Sequence, residues 1–229
     1  MPLEIAVDSA SQAGAAIPFA DRLELCRDLQ SHGLTPPSHL VRSVRREIDA
    51  QSRPVELVVL VRPVLSMRLT DADAGLCARQ IAESIDSGAD ALAFGALDAA
   101  GAIDRRSLQT LIEACRGRPA VLHRAFDFAH DRAAAVEVAA QLGFSRVLSA
   151  GVSSFDHASS SLPDRIAALR LAAARAGSRF AVVACGGVRA ANAAEFACIT
   201  PELHSSCRIN GAFDAAEAAG IRAALAAAR

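Results

Sequence analysis

The sequence predicts an α/β fold, namely a closed (β/α)8 barrel of the TIM type that forms a single domain over residues 1–229. Short apolar runs alternate steadily with helical patterns and give eight strand–helix units at roughly even spacing. No composition shift or linker divides the chain, and 229 residues suit one such barrel. An open doubly wound sheet is the alternative, but eight units in steady alternation favour closure.

The first half of the chain supplies four of these units. Strands are predicted at residues 3–7, 22–26, 55–61 and 91–94. Helices are predicted at residues 9–17, 38–48, about 71–87 and 104–115. Ser38 is the expected N-cap of the second helix, and Asp71 or Asp73 that of the third.

The second half repeats the pattern. Strands are predicted at residues 120–122, 146–148, 180–184 and 202–205. Helices are predicted at residues 132–142, 163–176 and 192–198, and the alanine-rich C-terminal segment makes a last helix.

Composition narrows the function classes. The net charge is −1, which argues against a nucleic-acid or anionic-membrane partner. No apolar stretch reaches the roughly 20 residues that span a bilayer, and the N-terminus enters a strand pattern directly, so we expect a soluble cytoplasmic protein. All 24 basic residues are arginine, which excludes a Schiff-base lysine. The six cysteines lack CxxC spacing and are expected to be free thiols.

A charged cluster follows the fifth predicted strand. His123, Arg124 and Asp127 lie within five residues of one another, on a strand-to-helix turn. In parallel α/β folds ligands bind beyond the carboxyl ends of the strands. There a histidine can move a proton, an arginine can hold an anion and an aspartate can orient its neighbours. The alternative is a helix-capping Asp127 with His123 and Arg124 on a solvated loop.

Several strands carry charged residues in phase with one another. Two-residue alternation predicts that the aliphatic residues meet the helices and that the polar residues face the barrel axis. The residues placed there are Glu4, Arg22, Glu24, Cys26, Arg62, Glu202 and His204. A buried carboxylate must be paired or functional, so these residues are either an active site or a structural ion network.

Two loops after late strands have the composition of an anion site. Gly186 and Gly187 follow strand seven, and Ser205 closes strand eight. Glycines let backbone N–H groups approach a ligand, and this is the usual phosphate site of the fold. A tight turn would demand the same glycines.

These residues carry a family resemblance. The runs 22–26 (RLELC), 33–36 (GLTP), 62–63 (RP), 123–127 (HRAFD) and 202–206 (ELHSS), together with Leu97-Asp98, Gly101 and Ile103-Asp104, resemble the copper homeostasis protein CutC family over almost the whole chain. The resemblance implies a TIM-type barrel, a cytoplasmic location and copper handling. Cys26 matches a family cysteine and is the candidate copper ligand. Val64 and Cys185 depart from the family pattern, and the segment after Ser206 is shortened.

Three function classes follow. In the first, taken from the resemblance, the chain binds copper. In the second, it is an isomerase- or lyase-type enzyme that needs no organic cofactor and acts on a small anionic or sugar-like metabolite. Its candidate catalytic residues are Glu24, His123, Arg124, Asp127, Glu202 and His204, and its candidate binding residues are Glu4, Arg62, Gly186, Gly187 and Ser205. In the third, a non-catalytic barrel acts through partners, which leaves the polar strand ends unexplained. A homodimer is the expected assembly.

Overall fold

The structure, a computed structural model, describes residues 1–228 and contains a closed barrel of eight parallel strands. Neighbouring strands follow the chain order, and β8 pairs with β1 to close the sheet. The strands are β1 (Leu3–Val7), β2 (Arg22–Leu25), β3 (Glu56–Leu60), β4 (Ala91–Phe94), β5 (Ala120–Leu122), β6 (Arg146–Ser149), β7 (Ala181–Ala184) and β8 (Glu202–Ser205). The predicted (β/α)8 barrel is confirmed.

Helices follow the strands and cover the outside of the barrel. They are α1 (Ala10–Ala16), α2 (Ser38–Asp49), α3 (Asp71–Asp86), α4 (Arg105–Ala114), α5 (Ala125–Phe128), α6 (Arg132–Leu142), α7 (Leu162–Ala176), α8 (Ala193–Ala197) and α9 (Ala215–Ala227). None of the described helices is both long and apolar enough to cross a membrane.

The helix caps differ from the prediction at two sites. The N-cap of α3 is Thr70, whose hydroxyl accepts from the Asp73 N–H while the Asp73 carboxylate accepts from the Thr70 N–H. Asp73 therefore completes a capping box and is not the cap itself. The N-cap position of α2 is Pro37, and Ser38 is the first residue of the helix. No side chain caps this helix N-terminus.

Alternation divides the barrel strands into an outward and an inward set, but the inward set is not wholly polar as predicted. Residues such as Leu23, Leu57 and Leu203 point outward into the large core under the helices. A second, smaller apolar cluster lies inside the barrel. Its members are Cys26, Val58, Leu60, Ala91, Ala93, Val121, Leu148, Ala150, Val183 and Cys185.

Ion pairs occupy the interior at the amino ends of the strands. The Arg22 guanidinium donates to Glu4 Oε2 at 3.1 Å and to Glu202 Oε2 at 2.6 Å. Across the barrel, Arg146 pairs with Glu56 at 2.5 Å. The amino end is thus closed by paired charges, and the chemistry-bearing side chains lie toward the carboxyl end.

Several local elements were not predicted. The short helix α5 directly follows β5, where only a turn was expected. A hairpin of β9 (Arg208–Ile209) and β10 (Ala212–Phe213) follows β8, and Asn210 and Gly211 both have positive φ at its turn. Two-residue strands are too short for periodicity to reveal.

Candidate functional site

A cavity of about 320 Å³ opens at the carboxyl ends of the barrel strands. Its walls come from the loops after most strands, and its floor comes from the barrel interior. The lining residues are Ala6, Glu24, Leu29, His32, Leu60, Arg62, Met67, His123, Arg124, Leu148, Phe155, His157, Cys185, Gly186, Gly187, Arg189, His204, Ser205 and Ser206. This is the end of the fold at which barrel enzymes carry their active sites.

Glu24 and His204 form the polar part of the cavity floor. Glu24 is only 6% exposed, and its Oε1 has no hydrogen-bond partner. Its Oε2 lies 3.8 Å from His204 Nε2, which is too long for a direct hydrogen bond. An unpartnered buried carboxylate oxygen is costly and uncommon in folded proteins, which marks this group for a function.

A chain of contacts holds His204 in place from below. His204 Nδ1 lies 2.7 Å from Glu4 Oε1, and Glu4 Oε2 accepts from Arg22. Glu4 is 1% exposed and does not line the cavity. These contacts fix the imidazole so that its other nitrogen, Nε2, is directed at Glu24.

The pKa values of Glu24 and Glu4 are shifted in opposite directions, although both residues are buried. For Glu24, burial dominates and, with the neighbouring Glu4 charge, raises the pKa to about 7 against the opposing pull of His204. For Glu4, burial is outweighed by the His204 hydrogen bond and by the His204 and Arg22 charges, which lower the pKa to about 2. The pKa of His204 is raised, because Glu24 and Glu4 together overcome the effect of its burial. Neighbouring titratable groups whose pKa values are shifted in opposite directions are typical of acid–base active sites.

His123 presents a neutral donor to the cavity. Burial and the Arg62 charge lower its pKa to about 3, so the ring is uncharged at neutral pH. The Ala125 backbone N–H donates to His123 Nδ1 at 3.1 Å, which leaves the ring proton on Nε2. A neutral imidazole fixed in this tautomer can donate a hydrogen bond to a substrate carbonyl without protonating it.

Gly95 gives His123 its space. A Cβ at this position would overlap the His123 ring and contact the Ala125 side chain. Gly95 follows β4, so its lack of a side chain allows the histidine of the neighbouring strand to lie against the backbone.

Arg62 and Arg124 form one wall of the cavity around an aromatic side chain. Both guanidinium groups lie over the Phe155 ring, at 5.6 and 5.2 Å from its centroid. The His32 ring stacks on Phe155 from another side, with centroids 4.1 Å apart. Loops after β2, β3, β5 and β6 therefore meet at Phe155, and the wall they make is cationic.

Asp127 organises this wall from behind. It is completely buried, accepts from the Ser149 hydroxyl at 2.6 Å and the Ala150 N–H at 2.8 Å, and pairs with Arg124 Nε at 2.9 Å. It does not line the cavity, so its contacts make it a positioning residue for Arg124. A solvated loop at residues 123–127, the alternative that the sequence left open, is not what the structure contains.

The opposite wall comes from the loops after β7 and β8. Gly186 and Gly187 line it with positive φ, and a Cβ on Gly187 would overlap the His157 ring. The Ser205 hydroxyl donates to the Val188 carbonyl at 2.8 Å, so it braces the loop. Arg189 adds a third cation, and its one side-chain hydrogen bond is a long one, 3.4 Å to the Val188 carbonyl.

The structure brings most of the predicted site residues together but not all. Glu24, Arg62, His123, Arg124, Gly186, Gly187, His204 and Ser205 line one cavity. Glu4, Asp127 and Glu202 lie outside its lining and act through other side chains. Glu202 is paired with Arg22 at the amino end of the barrel.

Cys26, the candidate copper ligand, lies in the apolar interior cluster beside the cavity. Its thiol is fully buried, and burial together with the Glu24 charge raises its pKa well above the usual range. Among residues 1–228, the grouping of three or more potential ligands from His, Cys, Asp and Glu side chains is Glu4, Glu24 and His204, and it contains no cysteine. Cys185 lies in the same apolar cluster as Cys26, whereas Cys207 belongs to the outer core.

The sequence alone did not identify several wall residues. Phe155, His32, Met67, His157 and Arg189 come from loops, whose spatial neighbours periodicity cannot assign. One signal was available for Phe155, because it is a large aromatic residue in an otherwise polar loop after a barrel strand.

Comparison with known proteins places the chain in a family. The sequence model of the CutC family matches residues 1–209. The chain belongs to the CutC family. A family protein CutC of Caulobacter vibrioides is 38% identical over 197 residues, which cover 84% of this chain and 75% of the relative. The human copper homeostasis protein cutC homolog is 36% identical over 154 residues, 66% of this chain and 55% of the human protein.

Solved structures agree on the fold. The putative copper homeostasis protein CutC from Streptococcus agalactiae superimposes with a TM-score of 0.79 at 22% identity, over 90% of this chain and 99% of that one. A 3-hexulose-6-phosphate synthase from Salmonella typhimurium has a TM-score of 0.72 at 16% identity, with both chains fully covered. At these identities the likeness extends to the barrel and not to the chemistry.

The raised pKa of Glu24 predicts that removing its charge stabilises the CutC chain at alkaline pH. The folded-state pKa of about 7 exceeds the reference value of 4.5, so the stability that the protonated form contributes is complete below about pH 4.5 and is lost as the pH rises through 7. Glu24→Gln cannot ionise, and its free energy of unfolding relative to wild type should increase by about 1–3 kcal/mol between pH 5 and pH 8. Urea unfolding at both pH values measures this.

The exposed carboxyl of Glu47 on α2 provides the matched control. Glu47→Gln makes the same substitution at a solvent-exposed position, so its urea unfolding at both pH values is the reference for the Glu24→Gln difference. A Glu24→Gln variant that behaves like this control would show that folding does not raise the pKa of the Glu24 carboxyl group.

Proposed function

We propose that this CutC chain is an enzyme that catalyses acid–base chemistry, an isomerisation or elimination next to a carbonyl group, on a small anionic metabolite. The observation that carries the proposal is the buried, unpartnered Glu24 carboxylate at the floor of a cavity whose walls hold three arginines. A group with a pKa near 7 can both accept and return a proton at neutral pH.

The proposed roles follow from the contacts. Glu24 takes the proton from the carbon next to the carbonyl, and His204 moderates its charge from 3.8 Å. His123 Nε2–H donates to the carbonyl oxygen as negative charge develops there, since Nδ1 is occupied by the Ala125 N–H. In an isomerisation, Glu24 returns the proton to the former carbonyl carbon, and the hydroxyl proton of the adjacent carbon passes to the oxygen that His123 holds, so that the carbonyl moves by one carbon. In an elimination, Glu24 keeps the proton, and a leaving group departs from the next carbon with its bonding electron pair. No organic cofactor takes part in either outcome.

The walls favour an anionic substrate. Arg62, Arg124 and Arg189 all line the cavity, and Glu24 is the single carboxylate among its lining residues. Arginine recognises carboxylate and phosphate groups with a planar array of donors. We therefore assign the anionic group of the substrate to the cationic rim and its reacting carbon to the floor.

Deuterium exchange tests this function even though the product is unidentified. Incubated in D2O with a panel of phosphorylated sugars and of hydroxy and oxo acids, the protein should exchange the C–H next to one carbonyl, as followed by NMR. Glu24→Gln and His123→Ala should each slow the exchange about 100-fold or more. Cys198→Ser, at an exposed thiol, should leave it unchanged. Exchange that is absent, or indifferent to Glu24→Gln, would contradict the proposal.

Copper handling is the second candidate function, because the chain belongs to the family that includes the human copper homeostasis protein cutC homolog. Cu(I) prefers thiolate ligands, and Cys26 is the family-matched thiol. Its burial holds it in the protonated form, so Cu(I) would have to displace a proton and find a second thiol. Among residues 1–228, the grouping of three or more potential ligands contains no cysteine, so the geometry favours the acid–base role over Cu(I) binding.

A Cu(I) titration against a competing chelator tests the copper role of Cys26. We expect that the reduced wild-type chain and Cys26→Ser bind Cu(I) equally weakly, with Cys198→Ser as the matched thiol control. Stoichiometric, tight binding that Cys26→Ser abolishes and Cys198→Ser preserves would instead establish the copper role.

Three further proposals accompany the function. We infer that the chain is a single domain, that it acts in the cytoplasm and that it forms a homodimer. The first follows from the steady strand–helix alternation without a linker, the second from the composition and the family resemblance, and the third from the barrel fold.

A further inference from the structure

We infer that the cavity floor is a binding site for a first-row divalent cation, with Glu24 and His204 Nε2 as its protein ligands and Glu4 as the group that orients the histidine. One ligand atom from each of these three residues lies within 4.8 Å of the others. The site shares Glu24 with the proposed acid–base function, but it rests on its own observations.

The first observation is that the buried Glu24 carboxylate has an oxygen atom without a hydrogen-bond partner. This side chain is more than nine-tenths buried, since only 8% of its surface is exposed, and its Oε1 has no partner. Glu24 is also the one carboxylate among the cavity-lining residues, so it is the carboxylate that a cation entering the cavity would meet.

The second observation is the orientation of His204. Metal-binding histidines usually donate their other ring N–H to a carboxylate, which fixes the tautomer and the ring plane. His204 Nδ1 lies 2.7 Å from Glu4 Oε1, and Glu4 is held in turn by Arg22. Nε2 is thereby left for a ligand on the Glu24 side.

The third observation is the gap between the two proposed ligands. His204 Nε2 and Glu24 Oε2 are 3.8 Å apart, too far for a hydrogen bond. Two metal–ligand bonds of about 2.1 Å each can bridge a separation of up to about 4 Å. The two atoms are therefore close enough for one cation to bridge them after a small movement of either side chain.

The fourth observation is the charge balance of the barrel interior. Among three interior carboxylates (Glu4, Glu24 and Glu202), Arg22 pairs with Glu4 and Glu202 and leaves Glu24 without a guanidinium, and the nearby Arg146–Glu56 pair is neutral by itself. With His204 uncharged the group is two positive charges short. One divalent cation or two protons supplies that deficit, so the cation and the protons exclude each other at Glu24 and His204.

The donor set defines the class of ion. One imidazole and a carboxylate, with no thiolate, suit Zn²⁺, Mn²⁺ or Cu²⁺ rather than Cu(I). Two protein ligands leave coordination positions open to the cavity, which is typical of catalytic and not of structural sites. A bound cation would polarise a substrate oxygen at the floor while occupying the proposed base.

Direct binding to the chelator-treated chain tests the site. Mn²⁺ is followed by loss of the free-ion EPR signal, and Zn²⁺ by calorimetry, because Mn²⁺ has little affinity for the free thiols. One ion per chain is expected, with affinity lowered at least 100-fold by Glu24→Gln and by His204→Gln. Glu4→Gln should lower it about 10–100-fold, as loss of an orienting carboxylate does.

His157→Gln and Cys198→Ser are the matched controls, because His157 lines the same cavity outside the ligand group and Cys198 is an exposed thiol. Both should bind as wild type does, and thermal unfolding verifies that every variant is folded. No stoichiometric binding, or binding that survives Glu24→Gln, would overturn the inference. Metal binding without deuterium exchange would sink the proposed acid–base function alone, and exchange without metal binding would sink this site alone.

Discussion

The site depends on one interaction, the bridge that Arg22 makes between Glu4 and Glu202 inside the barrel. Without this guanidinium two carboxylates would lie close together in a water-poor interior, which is strongly unfavourable. With it, Glu4 stays ionised and can fix the His204 ring. His204 then faces Glu24, whose own carboxyl receives no guanidinium and is left reactive.

At the rim of the cavity, buried contacts hold the loops so that the arginine side chains line the cavity. Asp127 is buried to hold Arg124, and Phe155 brings Arg62 and Arg124 onto its ring. Positive charge at the mouth and a high-pKa carboxyl at the floor suit a substrate with an anionic end and an acidic C–H. The same floor, short of positive charge, also suits a divalent cation.

The barrel could be predicted from the sequence because alternation and spacing are local signals. The same alternation placed Glu4, Glu24 and His204 inside, since side chains two apart share a face of a strand. It could not tell Glu202, which is paired at the amino end, from Glu24, which is free at the carboxyl end. That distinction depends on which guanidinium reaches which carboxylate across a barrel whose register the sequence does not reveal.

Loops and caps were less predictable for the same reason. Phe155 and His32 are 123 positions apart and meet because the loops after β6 and β2 reach over the same cavity. The helix α5 has four residues, too few for a periodic pattern, yet its Ala125 N–H sets the tautomer of His123. The capping box of α3 was within reach, since a threonine lies three residues before Asp73.

The central claim is that Glu24 is a carboxyl group with a strongly raised pKa at the floor of a cationic cavity. The most direct measurement is a pH titration of the metal-free chain carrying ¹³C-labelled glutamate carboxyl groups, with Glu24→Gln used to assign the resonance. The Glu24 signal is expected to titrate with a midpoint of about 7. A midpoint near the reference value of 4.5 would contradict it, because Glu24 would then be an ordinary carboxylate and not a base poised near neutral pH.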